Sequence, residues 1–339
     1  MTTASDLRTP SLESPAAAKA SAGRREQTAL LLQRQGAAVV LALVMIVAWI
    51  SFPTFGTTGN LSNLALQSSF LAVIALGMMF VIITGGIDLS VGSTFALGGV
   101  LAAYGSQWGF AGAVLLPLAV CGTIGLVNGF LVAHTGMAPF IVTLATQLFA
   151  RGLLLALTSE GSNTRRISSD ALLTRVVRSS FLGLGTPVWI ALALFAIGGV
   201  VLRRTGFGQA VFATGGAKSS ALLMGLPVYR TKVLVYVMSG LLAGVSGVLT
   251  AGYLQSGVTT LGVGTELDAI SVVVIGGTLL TGGAGSLIGT IVGVVLLYII
   301  QNIINLIGGL DSNFQTVVSG VFLLVVVVIQ RLIARTARR

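Results

Sequence analysis

The sequence predicts an all-α, polytopic membrane protein with about ten transmembrane helices and both termini in the cytoplasm. Of its 339 residues, 55% are apolar and only 8% are charged, whereas about 25% of the residues of a soluble domain are charged. Uncharged runs recur along almost the whole chain, over 35–87, 89–150, 179–202, 233–265, 269–310 and 312–330. Because about 20 apolar residues cross a hydrocarbon core of ~30 Å, these runs predict a chain that crosses the bilayer many times.

The individual spans follow from hydropathy and from the residues that break helices. We predict ten of them, over about 36–52, 64–83, 90–104, 110–133, 138–157, 186–202, 232–252, 268–281, 286–305 and 314–331. Several are short, so eight full spans with additional re-entrant pieces fit the same pattern.

The distribution of lysine and arginine predicts the orientation of the chain. With ten spans, residues 1–35, 203–232 and 331–339 share one side and carry fourteen basic residues, and the loop 158–185 carries four on the other side. The excess places both termini in the cytoplasm. Residues 1–35 are predicted to be a flexible basic tail, and residues 36–335 a single transmembrane domain with one substantial cytoplasmic loop, 203–232.

Composition excludes several classes of function. One cysteine, Cys121, and one histidine, His134, rule out an intrachain disulfide and a Cys/His metal cluster. No paired carboxylates or activated nucleophile occur at a catalytic spacing, so we expect no enzyme activity and no cofactor. The net charge of +10 is explained by loops and tails, so no nucleic-acid partner is predicted. The stretch ATGGAKSS (213–220) resembles a P-loop, but Ala217 replaces its last glycine and no strand precedes it.

Two glycine-rich breaks interrupt the apolar runs, ITGGIDLSVGS (83–93) and LTGGAGSLIGT (280–290). Irregular backbone inside a membrane is tolerated only where protein buries it or where it lines a water-filled path, so the breaks indicate a transport route. Asp88, in the first break, either caps the following helix or faces this route, since a charge facing lipid costs ~2.5–3.5 kcal/mol.

Polar residues within the spans are the candidates for the substrate pathway. They are Asp88, Ser90, Asn128, Thr143, Gln147, Arg151 and Asn302. Arg151 fits the outer end of a pathway, and equally an arginine whose charge reaches the membrane interface. In the loop 203–232, the segment SSALLMGL (219–226) is long enough for two helical turns, which makes it a docking helix or an ordinary connection.

Four motifs resemble the permeases of ribose-type sugar ABC importers. They are GGIDLSVGS (85–93), APFIVTLATQLFARG (138–152), VYVMSGLLAGVSGVL (235–249) and ELDAISVVVIGGTLLTGGAGSLIGTIVG (266–293), and the similarity runs from about residue 60 to residue 330. SALLMGL and GVGTELDAI look most like a permease of the galactofuranose importer. The resemblance implies a cytoplasmic ABC ATPase, a periplasmic sugar-binding protein and a second permease, either a copy or a homologue.

The same resemblance identifies the loop 203–232 as the ATPase coupling loop. The residues implied in coupling are Gly208, Ala213, Gly215, Gly216, Lys218, Ala221 and Gly225. Ala217, Leu222 and Met224 depart from the family's usual Asn, Arg and Ser. The expected function is that of a non-catalytic permease subunit that imports a ribose-, xylose-, galactose- or galactofuranose-type monosaccharide across a bacterial inner membrane. The alternatives are another small solute, such as a nucleoside, a furanone signal or an amino acid, and a carrier that works alone.

Overall fold

The fold is given by a computed structural model, which describes residues 37–308 and scattered positions between 314 and 328. The tail predicted over 1–35 lies outside the described residues, and so does most of the last predicted span, 314–331.

The described part of the chain is almost entirely helical, as predicted. Its helices are α1 (Ala37–Ser51), α2 (Thr58–Ile83), α3 (Val91–Gly105), α4 (Gly109–Phe130), α5 (Pro139–Leu157), α6 (Leu172–Arg178), α7 (Thr186–Arg204), α8 (Gly206–Gly216), α9 (Lys218–Leu223), α10 (Val228–Leu254), α11 (Thr265–Ile275) and α12 (Leu287–Ile307). A π-helical turn, Leu131–Thr135, extends α4, and a small hairpin, β1 (Ser180–Phe181) and β2 (Leu184–Gly185), precedes α7.

Each of the nine spans predicted between 36 and 305 contains a helix. Six stretches of the described chain are long and apolar enough to cross a membrane: Thr58–Ile83, Val91–Thr135, Pro139–Leu157, Thr186–Arg204, Val228–Leu254 and Leu287–Ile307. The second of these is α3 and α4 together, folded back on each other where Gly105 meets Gly112. Helix α11 ends six residues before the predicted end of its span, and its 11 residues extend only about 16 Å. The chain is therefore a polytopic membrane protein, and a total of ten spans stays a prediction.

Helix α2 lies at the centre of the bundle. It is apolar on all faces, and 83% of its most hydrophobic window is buried, which is the pattern of a helix surrounded by protein. The small residues of α10 let its neighbours approach closely. A Cβ on Gly125 of α4 would overlap the carbonyl oxygen of Tyr236, and one on Gly247 would lie 2.6 Å from the backbone nitrogen of Gly99. The glycine motifs thus pack helices α3, α4 and α10 together.

The two basic loops lie at opposite ends of the bundle. In the loop 203–232, Gly215 of α8 touches Ile83, the last residue of α2. In the loop 158–185, α6 packs against Gly252 near the end of α10, and Ser62 near the start of α2 donates to the carbonyl of Gly183 at 2.7 Å. We call these the α8 end and the α6 end. The predicted orientation places these two loops on opposite sides of the membrane, which requires them to lie at opposite ends of the bundle.

Candidate functional site

The first glycine-rich break turns the chain back into the bundle. Helix α2 finishes at Ile83 at the α8 end, yet Asp88 contacts Ser239 of α10, which packs against Gly77. Gly77 lies six residues before Ile83, or about 9 Å along the helix axis. The break at 84–90 is therefore re-entrant, and Asp88 lies inside the bundle rather than at its end.

Asp88 is 1% exposed and accepts three hydrogen bonds. Its Oδ1 accepts from the backbone N–H of Ser90 at 3.0 Å and from the hydroxyl of Ser90 at 2.6 Å, and its Oδ2 accepts from the hydroxyl of Ser239 at 2.8 Å. The Asn128 side chain donates to the Ser90 hydroxyl at 2.9 Å. The backbone bond lies directly before α3, which begins at Val91 and has no side-chain cap hydrogen bond. This polar cluster joins the start of α3 to α4 and α10.

Three further candidates lie along α5. The Gln147 amide donates to Oε1 of Glu266 at 3.0 Å, and the Arg151 guanidinium donates to the carbonyl of Leu261 at 2.9 Å. The hydroxyl of Thr143 donates within α5, to Pro139 at 2.9 Å, and approaches the carbonyl of Ile87 at 3.4 Å. Side chains of α5 therefore hydrogen-bond to the first break, to the irregular segment that leads into α11 and to the start of α11.

Glu266 is a buried carboxylate at the start of α11. It is 9% exposed, and its Oε2 has no hydrogen-bond partner among the described residues. This oxygen lies against Gly92 of α3, where a Cβ would overlap both Oε2 and the carbonyl oxygen of Gly262. Helix α11 thus begins inside the bundle, beside the first turn of α3 and next to the Asp88 cluster.

The contact at Gly92 predicts a large effect of adding one methyl group. We expect Gly92→Ala to destabilise the protein by about 1–3 kcal/mol, the usual cost of overpacking, because backbone and a buried carboxylate must both move. Thermal unfolding of the purified chain, followed by scanning fluorimetry, measures the effect. Gly152→Ala on α5 is the matched control, since a Cβ there has open space; equal unfolding midpoints for the two variants would contradict the packing around Glu266.

Asn302 lies apart from the other candidates. It exchanges two amide hydrogen bonds with Asn60, at 2.9 and 3.1 Å, and so ties α12 to the start of α2 near the α6 end. The pathway candidates therefore form one cluster at the first break, a second group on α5 and a separate pair at Asn302. Sequence reasoning missed Ser239, because it stands in a small-residue motif whose pattern indicates packing.

The two glycine-rich breaks meet at the α8 end. The backbone N–H of Gly283, in the second break, donates to the carbonyl of Ile83 at 2.9 Å. Gly215 of α8 fills the space beside this bond, where a Cβ would overlap the Ile83 oxygen and lie 2.6 Å from the Gly283 nitrogen. A Cβ on Gly282 would likewise lie 2.9 Å from the nitrogen of Gly85. We call the contact among residues 83–85, 215–216 and 282–283 the glycine junction.

The loop at the α8 end forms two short helices, of which α9 overlaps the predicted segment 219–226 over residues 219–223. The residues implied in coupling lie on α8 and α9 or directly after them: Gly208, Ala213, Gly215, Gly216, Lys218, Ala221 and Gly225. Ala221 is fully buried and anchors α9, and its carbonyl accepts from Leu226 at 3.0 Å after a turn at Gly225 with φ of +74°. Leu223 and Met224 are 90% and 68% exposed. The tip of this loop is therefore apolar and open.

These features define a multi-pass helical membrane protein with broken helices buried at its centre. Residues 60–328 match the family described as the permease component of the branched-chain amino acid transport system, and the chain belongs to this family.

Curated relatives match the chain over most of its length. The ribose import permease protein RbsC of Escherichia coli K12 is 38% identical over 311 residues, which cover 91% of this chain and 96% of that protein. RbsC of Bacillus subtilis is 38% identical over 303 residues, which cover 89% of this chain and 94% of that protein. The L-arabinose ABC transporter permease protein AraH of Azospirillum brasilense is 37% identical over 320 residues, which cover 93% of this chain and 92% of that protein. No solved structure matches. The resemblance to permeases of ribose-type ABC importers is confirmed, and the galactofuranose variant of it stays a prediction.

Proposed function

We propose that the chain is the non-catalytic permease subunit of a bacterial ABC importer, which carries a monosaccharide across the inner membrane with energy from a separate ATPase. Its relatives are named as permeases for ribose and L-arabinose, and a further one, FruG of Bifidobacterium longum, as a fructose import permease. The observation that carries the proposal is the loop at the α8 end, which exposes an apolar tip and at its base contacts both breaks.

The tip of the loop is suited to dock a protein. Leu223 and Met224 project from α9 on the side that the excess of basic residues assigns to the cytoplasm. Exposed apolar side chains outside the membrane favour a protein partner, and an ABC ATPase is the partner that the family resemblance implies. The α6 end then faces the periplasm, where a sugar-binding protein would deliver the solute to this chain and to a second permease, a copy or a homologue.

The base of the loop is suited to transmit movement. Gly215 touches the ends of both breaks, so a displacement of α8 by the ATPase has to shift residues 83–85 and 282–283. The first break leads within five residues to the Asp88 cluster. In this proposal the glycine junction links ATP-driven closure of the ATPase to opening of the path. The buried Asp88 cluster positions the backbone beside the path, and the half-buried Gln147 and Arg151 of α5 face the solute on its way.

We expect Leu223→Glu to abolish binding of the ATPase without unfolding the permease. The side chain is 90% exposed, so a charge costs little in the free chain, whereas a charge buried unpaired in an interface costs several kcal/mol. Co-purification of the ATPase with tagged permease in mild detergent measures binding. Leu182→Glu, a leucine 77% exposed at the α6 end, is the matched control. Undiminished ATPase binding by Leu223→Glu would contradict docking through α9.

The function itself is tested by purifying the tagged chain from its native cells and identifying what accompanies it. A P-loop ATPase should co-purify, and vesicles containing the complex with its binding protein should take up ribose, arabinose or fructose only with ATP. Transport by the chain alone without ATP would overturn the proposal in favour of a self-sufficient carrier. Competition by unlabelled nucleosides or amino acids, without competition by sugars, would assign the same architecture to another solute.

A further inference from the structure

A cavity of about 330 Å³ lies within the single chain, between α2, α10, α12 and the segment that leads into α11. None of the pathway candidates predicted from sequence lines it. Its rim includes the exposed residues Gln67 and Leu254 toward the α6 end. It also reaches Asp268 on the first turn of α11, which begins inside the bundle. The cavity therefore connects the α6 end with the interior of the membrane domain.

The walls combine aromatic rings with hydrogen-bonding groups. Phe70 and Tyr253 stand with ring centroids 6.0 Å apart, and Tyr298 of α12 also lines the cavity. Gln67, Thr250 and Asp268 supply an amide, a hydroxyl and a carboxylate. Aromatic faces next to a few polar groups are the usual composition of a site for a small organic ligand, and the volume falls in the usual range of ~300–1,000 Å³.

Thr250 is the cavity-lining residue whose hydroxyl has unused hydrogen-bonding capacity. It is 7% exposed, and its hydroxyl has no hydrogen-bond partner within the part of the chain that the structure describes. Buried hydroxyls nearly always have a partner, because leaving one unpaired is unfavourable. Because Thr250 lines the cavity, a rotation of its side chain toward the cavity would let a ligand hydroxyl supply the missing partner.

The chemistry of the walls suits a neutral polyol and disfavours an anion. No Lys, Arg or His lines the cavity among the described residues, so neither an anion nor the carboxylate of an amino acid finds a counter-charge. A sugar ring offers hydroxyls to the Asp268 carboxylate and the Thr250 side chain, and C–H groups to the aromatic rings. A bare metal ion would leave most of this volume and its aromatic walls unused.

We propose that this cavity is a monosaccharide-binding chamber in each permease chain, which receives the sugar at the α6 end. The inference rests on the proposed import function, and it adds a binding site contained within one chain. In this chamber Thr250 and Asp268 bind ring hydroxyls, and Tyr253 and Phe70 pack against the ring.

Cysteine protection tests the chamber in the assembled importer. Gln67→Cys places a thiol at the rim, and the native Cys121 should not react with a maleimide because it is fully buried. We expect ribose to slow alkylation of this thiol by a small maleimide, and leucine to have no effect. A cysteine at the exposed position Ser180, also at the α6 end but outside the cavity, should react at the same rate with and without ribose.

Removal of the unpaired Thr250 hydroxyl provides a second test of the chamber. Thr250→Val in the Gln67→Cys background should raise the ribose concentration for half-maximal protection about fivefold, the effect of one lost hydrogen bond. Thr94→Val is the matched control, since the Thr94 hydroxyl is also buried without a partner but does not line the cavity. Equal half-maximal concentrations for the two variants, or protection by leucine equal to that by ribose, would overturn the chamber.

ATP-dependent uptake by the same vesicles separates this inference from the proposed function. Normal import of ribose, arabinose or fructose without any protection of Gln67→Cys would contradict the binding chamber but not the proposed import function. Absence of import for all three sugars by the complete wild-type complex would contradict the proposed function and, because the chamber rests on it, the chamber as well.

Discussion

Gly215→Ala should lower ATP-driven import about tenfold or more while leaving the chain inserted in the membrane. The added methyl group would overlap the carbonyl oxygen of Ile83 and lie 2.6 Å from the nitrogen of Gly283, so it has to separate the two atoms that join the breaks. Because these atoms belong to backbone, they cannot turn aside as a flexible side chain would. Uptake of labelled ribose into vesicles that contain the whole complex measures the effect, with the ATPase rate recorded in parallel.

The neighbouring glycine provides the control. A Cβ on Gly216 has open space, and its backbone is not in the left-handed region, so Gly216→Ala adds the same methyl group one residue away without a clash. We expect Gly216→Ala to import at close to the wild-type rate. If both variants import normally, α8 does not act through the glycine junction. If Gly215→Ala hydrolyses ATP without import, the junction is the point where hydrolysis and transport are coupled.

The long helices could be predicted from sequence because each lies in an apolar run with helix-breaking residues near its ends, whereas the short loop helices α6 and α8 have no such run and were not predicted. The two breaks were also visible, since ITGGIDLSVGS and LTGGAGSLIGT interrupt such runs. Their contact with each other and with Gly215 was not, because the three segments are far apart in sequence and no local pattern records which backbone atoms meet. Long-range contacts of glycine leave no periodicity to detect.

The contacts of the candidate residues could not be predicted from sequence, because residue polarity does not show what a side chain binds. The sequence indicates Asn302 because it is a polar residue in an apolar run, and the structure pairs it with Asn60, which lies outside the span predicted over 64–83 but inside α2. The cavity could not be predicted from sequence, because its lining residues do not form a local pattern. Gln67, Thr250 and Asp268 come from three different helices, and only the folded chain brings them together.

Asp88→Ala should unfold the membrane domain at a markedly lower temperature, whereas Asp88→Asn should not. Alanine leaves the backbone N–H of Ser90 and the hydroxyl of Ser239 without their acceptor inside the bundle. Loss of a buried network of this kind costs about 3 kcal/mol or more, which lowers the unfolding midpoint of a large domain by about 6 °C or more. Scanning fluorimetry of the purified chain measures the midpoint.

Asparagine can keep every contact that Asp88 makes. Its amide oxygen still accepts from Ser90, and its amide nitrogen donates to the Ser239 hydroxyl, which then acts as acceptor. The variant Asp88→Asn therefore separates the two roles that the sequence left open. Because all three hydrogen bonds to the carboxylate come from within the chain and the side chain is 1% exposed, we expect Asp88→Asn to import sugar at close to the wild-type rate. A folded Asp88→Asn protein that no longer imports would contradict this expectation and show that the path requires the negative charge itself.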